Sequence, residues 1–221
     1  MRVVIAGGHG KIALLLERLL AERGDSVAGF IRNPEHAIDL QAAGAQALVV
    51  DLEKATVDEV ASHLDGVDAV VFAAGAGPGS GAARKETVDR NAAVLLADAA
   101  EAAKVRRYVM ISSMRADAGA PDDAGDRVFV AYLRAKGAAD DNVRAREALD
   151  ATIVRPGHLT NDPGTGRVMI ADSTGRGSIP REDVAAVLLA VLDSPGTTGQ
   201  TFELIAGDTP IGESFTTSIR E

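Results

Sequence analysis

Tyr132 and Lys136 stand four residues apart in Tyr132-Leu133-Arg134-Ala135-Lys136. On a helix, positions i and i+4 share a face, so a phenol and an ammonium open toward one site. A neighbouring ammonium favours the phenolate and lowers the tyrosine pKa, which makes the phenol a usable proton donor or acceptor. The same spacing also describes an ordinary pair on a helix surface. Ser113 closes the apolar run that ends Ile111-Ser112-Ser113. Its hydroxyl could hold a carbonyl or hydroxyl of a substrate beside Tyr132; a serine in that position is otherwise a turn former. Cysteine is absent, which excludes thiol catalysis, disulfides and thiolate metal sites. His9, His36, His63 and His158 show no metal-ligand spacing, so no metal site is expected. His36 and His63 read as helical surface residues, while His158 directly follows Pro156-Gly157.

A second chemistry lies at the N-terminus, in Arg2-Val3-Val4-Ile5-Ala6-Gly7-Gly8-His9-Gly10-Lys11-Ile12-Ala13. The β-branched run Val3-Val4-Ile5-Ala6 suits a buried parallel strand. After the glycines, Ile12, Leu15, Leu16, Leu19 and Leu20 repeat as one apolar stripe of a helix. Gly7 permits a tight turn, and Gly10 removes a side chain where a pyrophosphate would approach the backbone. The first N–H groups of the helix lack internal partners and sit at its positive end, so they attract an anion. The spacing Gly7-x-x-Gly10-x-x-Ala13 departs from G-x-G-x-x-G, and Ala13 is still small enough for close helix–strand packing. A strand-to-helix turn with no ligand can be equally glycine-rich; placement between strand and helix favours the nucleotide site.

Further along, Ser26-Val27-Ala28-Gly29-Phe30-Ile31 reads as a strand that ends at Arg32. Where such a unit binds NAD, an acidic residue holds the ribose hydroxyls at about this point. A guanidinium instead suits a 2′-phosphate, so NADP(H) is expected in preference to NAD(H), although a solvated arginine on a loop is common. Asn33-Pro34 follows as an N-cap and first helical residue. Asp51, before Leu52, could meet an adenine amino group or simply cap the next segment.

The elements that must position these residues alternate. Strands are expected at Ala45 to Val50, Val67 to Ala74, Arg107 to Ile111 and Ala151 to Val154, and helices at Val57 to Leu64, Lys85 to Lys104 and Phe129 to Ala148. Gly75 to Gly81 and Arg115 to Asp126 read as loops. Arg167 to Ile170 reads as part of a small hairpin, Pro180 to Leu192 as a helix, Thr201 to Ile205 as a closing strand and the tail as a short helix. This alternation predicts an α/β, Rossmann-like, doubly wound parallel sheet. Residues 1–221 read as one domain, with 158–221 forming a small substrate-side and C-terminal region.

Net charge is −9, which disfavours nucleic acid or an anionic membrane surface as a partner. No apolar run reaches the length of a membrane span, and the N-terminus enters a strand rather than a targeting peptide. A cytoplasmic protein is expected, acting on a small molecule as a monomer or homodimer.

Together these motifs resemble the atypical short-chain dehydrogenase/reductases, close to the small NAD(P)-binding epimerase-like and NmrA-like proteins. Its carriers are the glycine turn with Ile12, Ile31-Arg32-Asn33-Pro34, Val50-Asp51-Leu52, Ala73-Ala74-Gly75, Ile111-Ser112-Ser113, Tyr132-x-x-x-Lys136 and Val154-Arg155-Pro156-Gly157. The resemblance implies that Tyr132 is the acid/base, that Lys136 holds the nicotinamide ribose and tunes Tyr132, and that Ser113 orients substrate. It places Gly7, Gly8, His9, Gly10, Lys11, Ile12, Arg32, Asn33, Asp51, Leu52, Ala73, Ala74, Gly75, Pro156 and Gly157 at the cofactor. Asp89 stands where the family carries an active-site asparagine. Two functions stay open: an NADP(H)-dependent oxidoreductase or epimerase-like enzyme, or a non-catalytic NADP(H)-binding redox sensor.

Overall fold

A computed structural model describes residues 1–77 and 79–215. Strand and helix alternate from the start: β1 (Arg2–Ala6), α1 (Lys11–Glu22), β2 (Ser26–Ile31), α2 (Ala37–Ala42), β3 (Gln46–Val49), α3 (Val57–Ser62) and β4 (Ala69–Phe72). A helical run follows, made of α4 (Ala82–Arg84), a π-helical segment (Lys85–Asn91) and α5 (Ala92–Ala102). Next come β5 (Arg107–Ile111), α6 (Arg127–Arg144), β6 (Asp150–Pro156), β7 (His158–Thr160), β8 (Arg167–Ala171), β9 (Ser178–Pro180), α7 (Arg181–Leu192), β10 (Thr201–Ala206) and β11 (Thr209–Pro210).

Across the main sheet the order is β3-β2-β1-β4-β5-β6-β10-β8-β11. The first seven run parallel, while β8 pairs antiparallel with both β10 and β11. Strand order reverses between β1 and β4, where Val3 pairs with Val27 on one side and Ala69 on the other. A doubly wound sheet opens a crevice at such a reversal, beyond the carboxyl ends of the strands. Gly7 and Ala73 follow those two ends directly.

Side chains alternate across the sheet and so divide the core in two. Val3 and Ile5 join Leu16 and Leu20 of α1 and Leu188 of α7; Val4 and Ala6 join Leu96 of α5 and Val143 of α6. Fully burying a leucine stabilises by roughly 1.5–3 kcal/mol, so the α1 stripe clamps the glycine turn to the sheet.

Local signals account for most element ends. Asn33 accepts from Glu35 N at 3.1 Å, and Pro34 opens a short 3-10 turn, as the Asn-Pro pair predicts. Asp126 accepts from Val128 N and Phe129 N at 2.9 and 2.8 Å, starting α6 before the expected Phe129. That helix also ends at Arg144, short of Ala148. The expected helix from Lys85 is not uniformly α: it begins with the π segment, an arrangement often found at functional sites. The expected hairpin around Arg167 is also corrected. Its strand, β8, finds its partner in β10 across the intervening α7, and β7 and β9 form a separate two-stranded parallel sheet. Thr201–Ala206 is therefore an inner strand. The tail forms one 3-10 turn, Ile211–Glu213, and its last six positions lie outside the described residues.

Candidate functional site

The glycine turn is shaped by close packing. Gly7 has φ +82°, and a Cβ there would lie 2.7 Å from Ala74 Cα. Gly8 faces inward rather than toward the cleft; its Cβ would meet Gly29 Cα at 2.8 Å. Gly10 donates to Gly7 O at 2.8 Å and caps α1 with no side chain. The first N–H groups of α1 thus have no capping side chain, as an anion site requires. Ala13 is fully buried. Lys11 turns away to Asn161 Oδ1 at 3.2 Å, whereas Ile12 lines the cleft.

One cavity, about 340 Å³, lies beside this turn. It brings together Gly7, His9, Gly10, Arg32, Asn33, Asp51, Leu52, Ala73, Ala74 and Gly75. Arg32 is exposed and bonds Glu53 Oε2 at 2.8 Å, an oxygen shared with Arg84 at 2.9 Å. The Thr87 hydroxyl donates to Glu53 Oε1 at 2.7 Å, and this bond with the two guanidiniums holds the Glu53 carboxyl below its ordinary range. Asp51 Oδ1 accepts from Glu53 N at 3.2 Å, so it does shape the following turn while facing the cavity. His36 is not a plain helix-surface residue: it lines this cavity and stacks on His9 with ring centroids 3.5 Å apart.

Ala73, Ala74 and Gly75 also line a second cavity, of about 510 Å³, together with Ile12, Lys85, Asp89, Ser112, Tyr132 and Lys136. The Tyr132 hydroxyl has no hydrogen-bond partner among the described residues. Lys136 and Asp89 are both buried and form an ion pair at 3.4 Å. Lys136 Nζ also donates to Ile111 O at 3.1 Å, and Ala76 N donates to Asp89 Oδ2 at 3.3 Å. Asp89 is therefore the counter-ion of Lys136, which the sequence did not show. One N–H of the ammonium is committed to Ile111; the others are free of hydrogen bonds among the described residues. Behind this pair, Arg155 bonds the fully buried Asp140 at 2.8 Å. Burial raises the Asp140 pKa, opposed by the Ser112 hydroxyl, Arg155 and Lys136.

A third cavity, again about 510 Å³, adjoins the second through Phe129, Tyr132 and Leu159. Ser113, Pro156, Gly157 and His158 line it, so Ser113 shares this space with Tyr132 rather than the inner cavity. Ser113 Oγ bonds Met114 O at 3.1 Å. Pro156 and Gly157, expected beside the cofactor, face this outer side.

Sequence reasoning passed over Glu53, Arg84, Lys85 and Asp140. Lys85 is buried, bonds Gly77 O at 3.1 Å and lies 5.2 Å from the centre of the Tyr132 ring. Lys85, Val88 and Asp89 turn together from the π segment into the interior. A lysine and an aspartate four apart, Lys85 and Asp89, was the available signal.

The residues present fit a dinucleotide. The turn leaves the α1 N-terminus uncapped, with no side chain at Gly7 or Gly10, and its cavity adjoins the one lined by Tyr132 and Lys136. A family model described as NAD(P)H-binding matches residues 7–195. The chain belongs to the NAD(P)H-binding family. It is 36% identical over 216 residues to the uncharacterized sugar epimerase YhfK of Bacillus subtilis, an alignment covering 97% of this chain and 99% of that one. Among solved structures, it matches a candidate NAD-dependent epimerase/dehydratase of Bacillus halodurans at 38% identity and TM-score 0.86, covering 96% and 97% of the two chains. The oxidoreductase ylbE of Lactococcus lactis matches at 26% identity and TM-score 0.85, over 100% of each chain. These similarities support a nicotinamide cofactor and the epimerase- and oxidoreductase-like atypical short-chain dehydrogenase fold. No described helix is long and apolar enough to cross a membrane.

Proposed function

We propose that the chain is an NADP(H)-dependent oxidoreductase acting on a small carbonyl or alcohol. The observation that carries this reading is the unbonded Tyr132 hydroxyl on a ring that borders two adjoining cavities, one of which continues to the glycine turn. The α1 N-terminus would hold the pyrophosphate, Arg32 and Arg84 a 2′-phosphate, and Lys136 the nicotinamide ribose. Bound nicotinamide supplies hydride to a carbonyl carbon, or accepts it from an alcohol carbon. In reduction, Tyr132 gives its phenolic proton to the carbonyl oxygen and regains one from solvent. Lys136 stabilises the phenolate left behind, and Asp89 is the counter-ion that holds the ammonium in place. Ser113 steadies the substrate oxygen from the outer side. An epimerase would use the same groups, removing and returning hydrogen at one carbon of its substrate.

Tyr132→Phe tests the reading, because it keeps the ring and deletes the proton. With NADPH and a panel of quinones, aldehydes and small ketones, turnover should fall by about 10²- to 10⁴-fold while NADPH affinity holds. Lys136→Ala should damage both. Turnover of Tyr132→Phe at the parent rate would overturn the assignment.

A second reading, a binding-only NADP(H) sensor, draws on one observation. The ammonium expected to serve the ribose is already paired with Asp89 and bonded to Ile111 O. Tight NADP(H) binding that changes association with another protein, with no carbonyl reduced, would select the sensor.

A further inference from the structure

The third cavity holds an unusual charge balance for a chain of net charge −9. Arg115, His158, Arg176 and Arg181 line it, and no Asp or Glu does. Arg181 bonds only neutral oxygens, Leu159 O at 3.3 Å and Asn161 Oδ1 at 2.9 Å. Arg115 and Arg176 have no ion-pair or hydrogen-bond partner among the described residues. Arg32, Arg84, Arg106, Arg134, Arg146 and Arg155, by contrast, all pair with carboxylates, although Arg2, Arg107 and Arg167 also bond only neutral oxygens at scattered places in the fold. What sets this cavity apart is that three guanidiniums without a carboxylate gather around one space, which suits it to an anion from outside.

Backbone geometry adds an independent point. Arg115 has φ +64°, in the left-handed region that non-glycine residues seldom occupy. A turn closed by Ala116 N to Ser113 O at 3.0 Å holds it there, one residue beyond Met114 on the cavity wall. Sequence position thus couples Arg115 to Ser113, the serine beside Tyr132.

We infer that this cavity receives an anionic arm of the substrate, a carboxylate or a phosphate, while the carbonyl to be reduced points back to Tyr132. This rests on the reading of Tyr132 as the proton donor. Planar guanidinium forks match the oxygens of either anion, and each charge-assisted contact is stronger than a neutral one. The substrate class is therefore an acidic keto or hydroxy compound rather than a neutral ketone.

Calorimetry on NADP-saturated protein tests the site without requiring turnover. Dihydroxyacetone phosphate is compared with dihydroxyacetone, and 4-oxopentanoate with 2-pentanone. At least one charged probe should bind roughly tenfold or more tightly than its neutral partner, with affinity falling as sodium chloride rises. The phosphate and carboxylate arms separate the two sources of charge. Arg176→Gln and Arg115→Gln should each weaken the charged probe by roughly tenfold and leave its neutral partner unchanged. Both side chains are exposed, and unchanged NADPH binding would verify that the variants fold. Equal binding of charged and neutral probes, loss of the arginines without effect, or no binding of either charged probe would overturn the inference. Arginine-dependent binding of an anion without any NADPH oxidation would keep the anion site and remove the redox reading. Reduction of neutral ketones with no anion binding would do the reverse.

Discussion

The residue whose surroundings bear most directly on cofactor choice is Glu53. It ties Arg32 and Arg84 together, so a 2′-phosphate entering there competes with a carboxylate for the same two guanidiniums. Arg32→Asp should weaken NADP binding by roughly ten- to a hundredfold while NAD binding holds or improves. Glu53→Gln should act in the opposite direction and raise NADP affinity, since it frees both cations. Calorimetry with both dinucleotides checks the pair, and a parent protein that prefers NAD would overturn the assignment. Another residue, Glu17, affects stability. It is fully buried on α1, neither carboxylate oxygen has a hydrogen bond, and burial pushes its pKa up to about 8. The folded chain keeps a proton that the unfolded chain releases above the ordinary glutamate range. Stability attributable to this group is thus whole below about pH 4.5 and declines by roughly 1.4 kcal/mol per unit until about pH 8. Glu17→Gln should remove that slope, seen as a parent-minus-variant difference in urea unfolding between about pH 5 and pH 8. Tyr132, Lys136 and Arg32 were legible because residue type and spacing carry their chemistry. Glu17 was not, because its burial depends on Gly8 and Gly29 approaching each other across the turn, and Glu17 Oε1 fills the space their missing side chains leave.

At the scale of elements, α6 carries Tyr132, Lys136 and Asp140 on successive turns, and the Asp140–Arg155 pair fastens it to β6. Arg155→Met would leave the Asp140 carboxyl buried and uncompensated. Breaking a buried pair from one side costs about 3–5 kcal/mol, and the loss should grow with pH as the stranded carboxyl is forced to ionise. Chemical denaturation at two pH values measures both effects. The strand-to-helix alternation and the ends of β2 and β5 were legible, since apolar runs and turn residues mark them. The π segment was not: Lys85–Asn91 carries no Gly or Pro to mark a departure from the α-helix that continues from Ala92. In the fold, Lys85 and Asp89 of that segment pack against the Tyr132–Lys136 face. Likewise β8 is a short alternating strand whose partner comes from thirty residues farther on, and local pattern favours nearer pairings.

Over the whole molecule, the cleft at the strand-order reversal joins the glycine turn, the second cavity and the cationic cavity. A ligand bound only by the folded chain stabilises it by RT ln(1 + [L]/Kd), about 2.7 kcal/mol at a hundredfold excess over Kd. For a chain of this size NADP(H) should then raise Tm by roughly 5–10 °C. Thermal unfolding with and without the dinucleotide measures the shift, and Arg32→Asp should shrink it for NADP(H) alone. The doubly wound sheet as such was readable, because βαβ units leave few other arrangements. The antiparallel edge was not, because it depends on where the chain returns after α7.

Chain order also partitions the cavities. The side chains around the cavity at the glycine turn all fall between Gly7 and Ala92, and those around the cationic cavity all fall between Ser113 and Arg181. Of these three, the inner cavity, with Tyr132 and Ile12, draws on both stretches. Exchange of the chain beyond the turn between α5 and β5 would replace the whole lining of the cationic cavity, together with Tyr132 and Lys136, and leave the lining of the glycine-turn cavity in place.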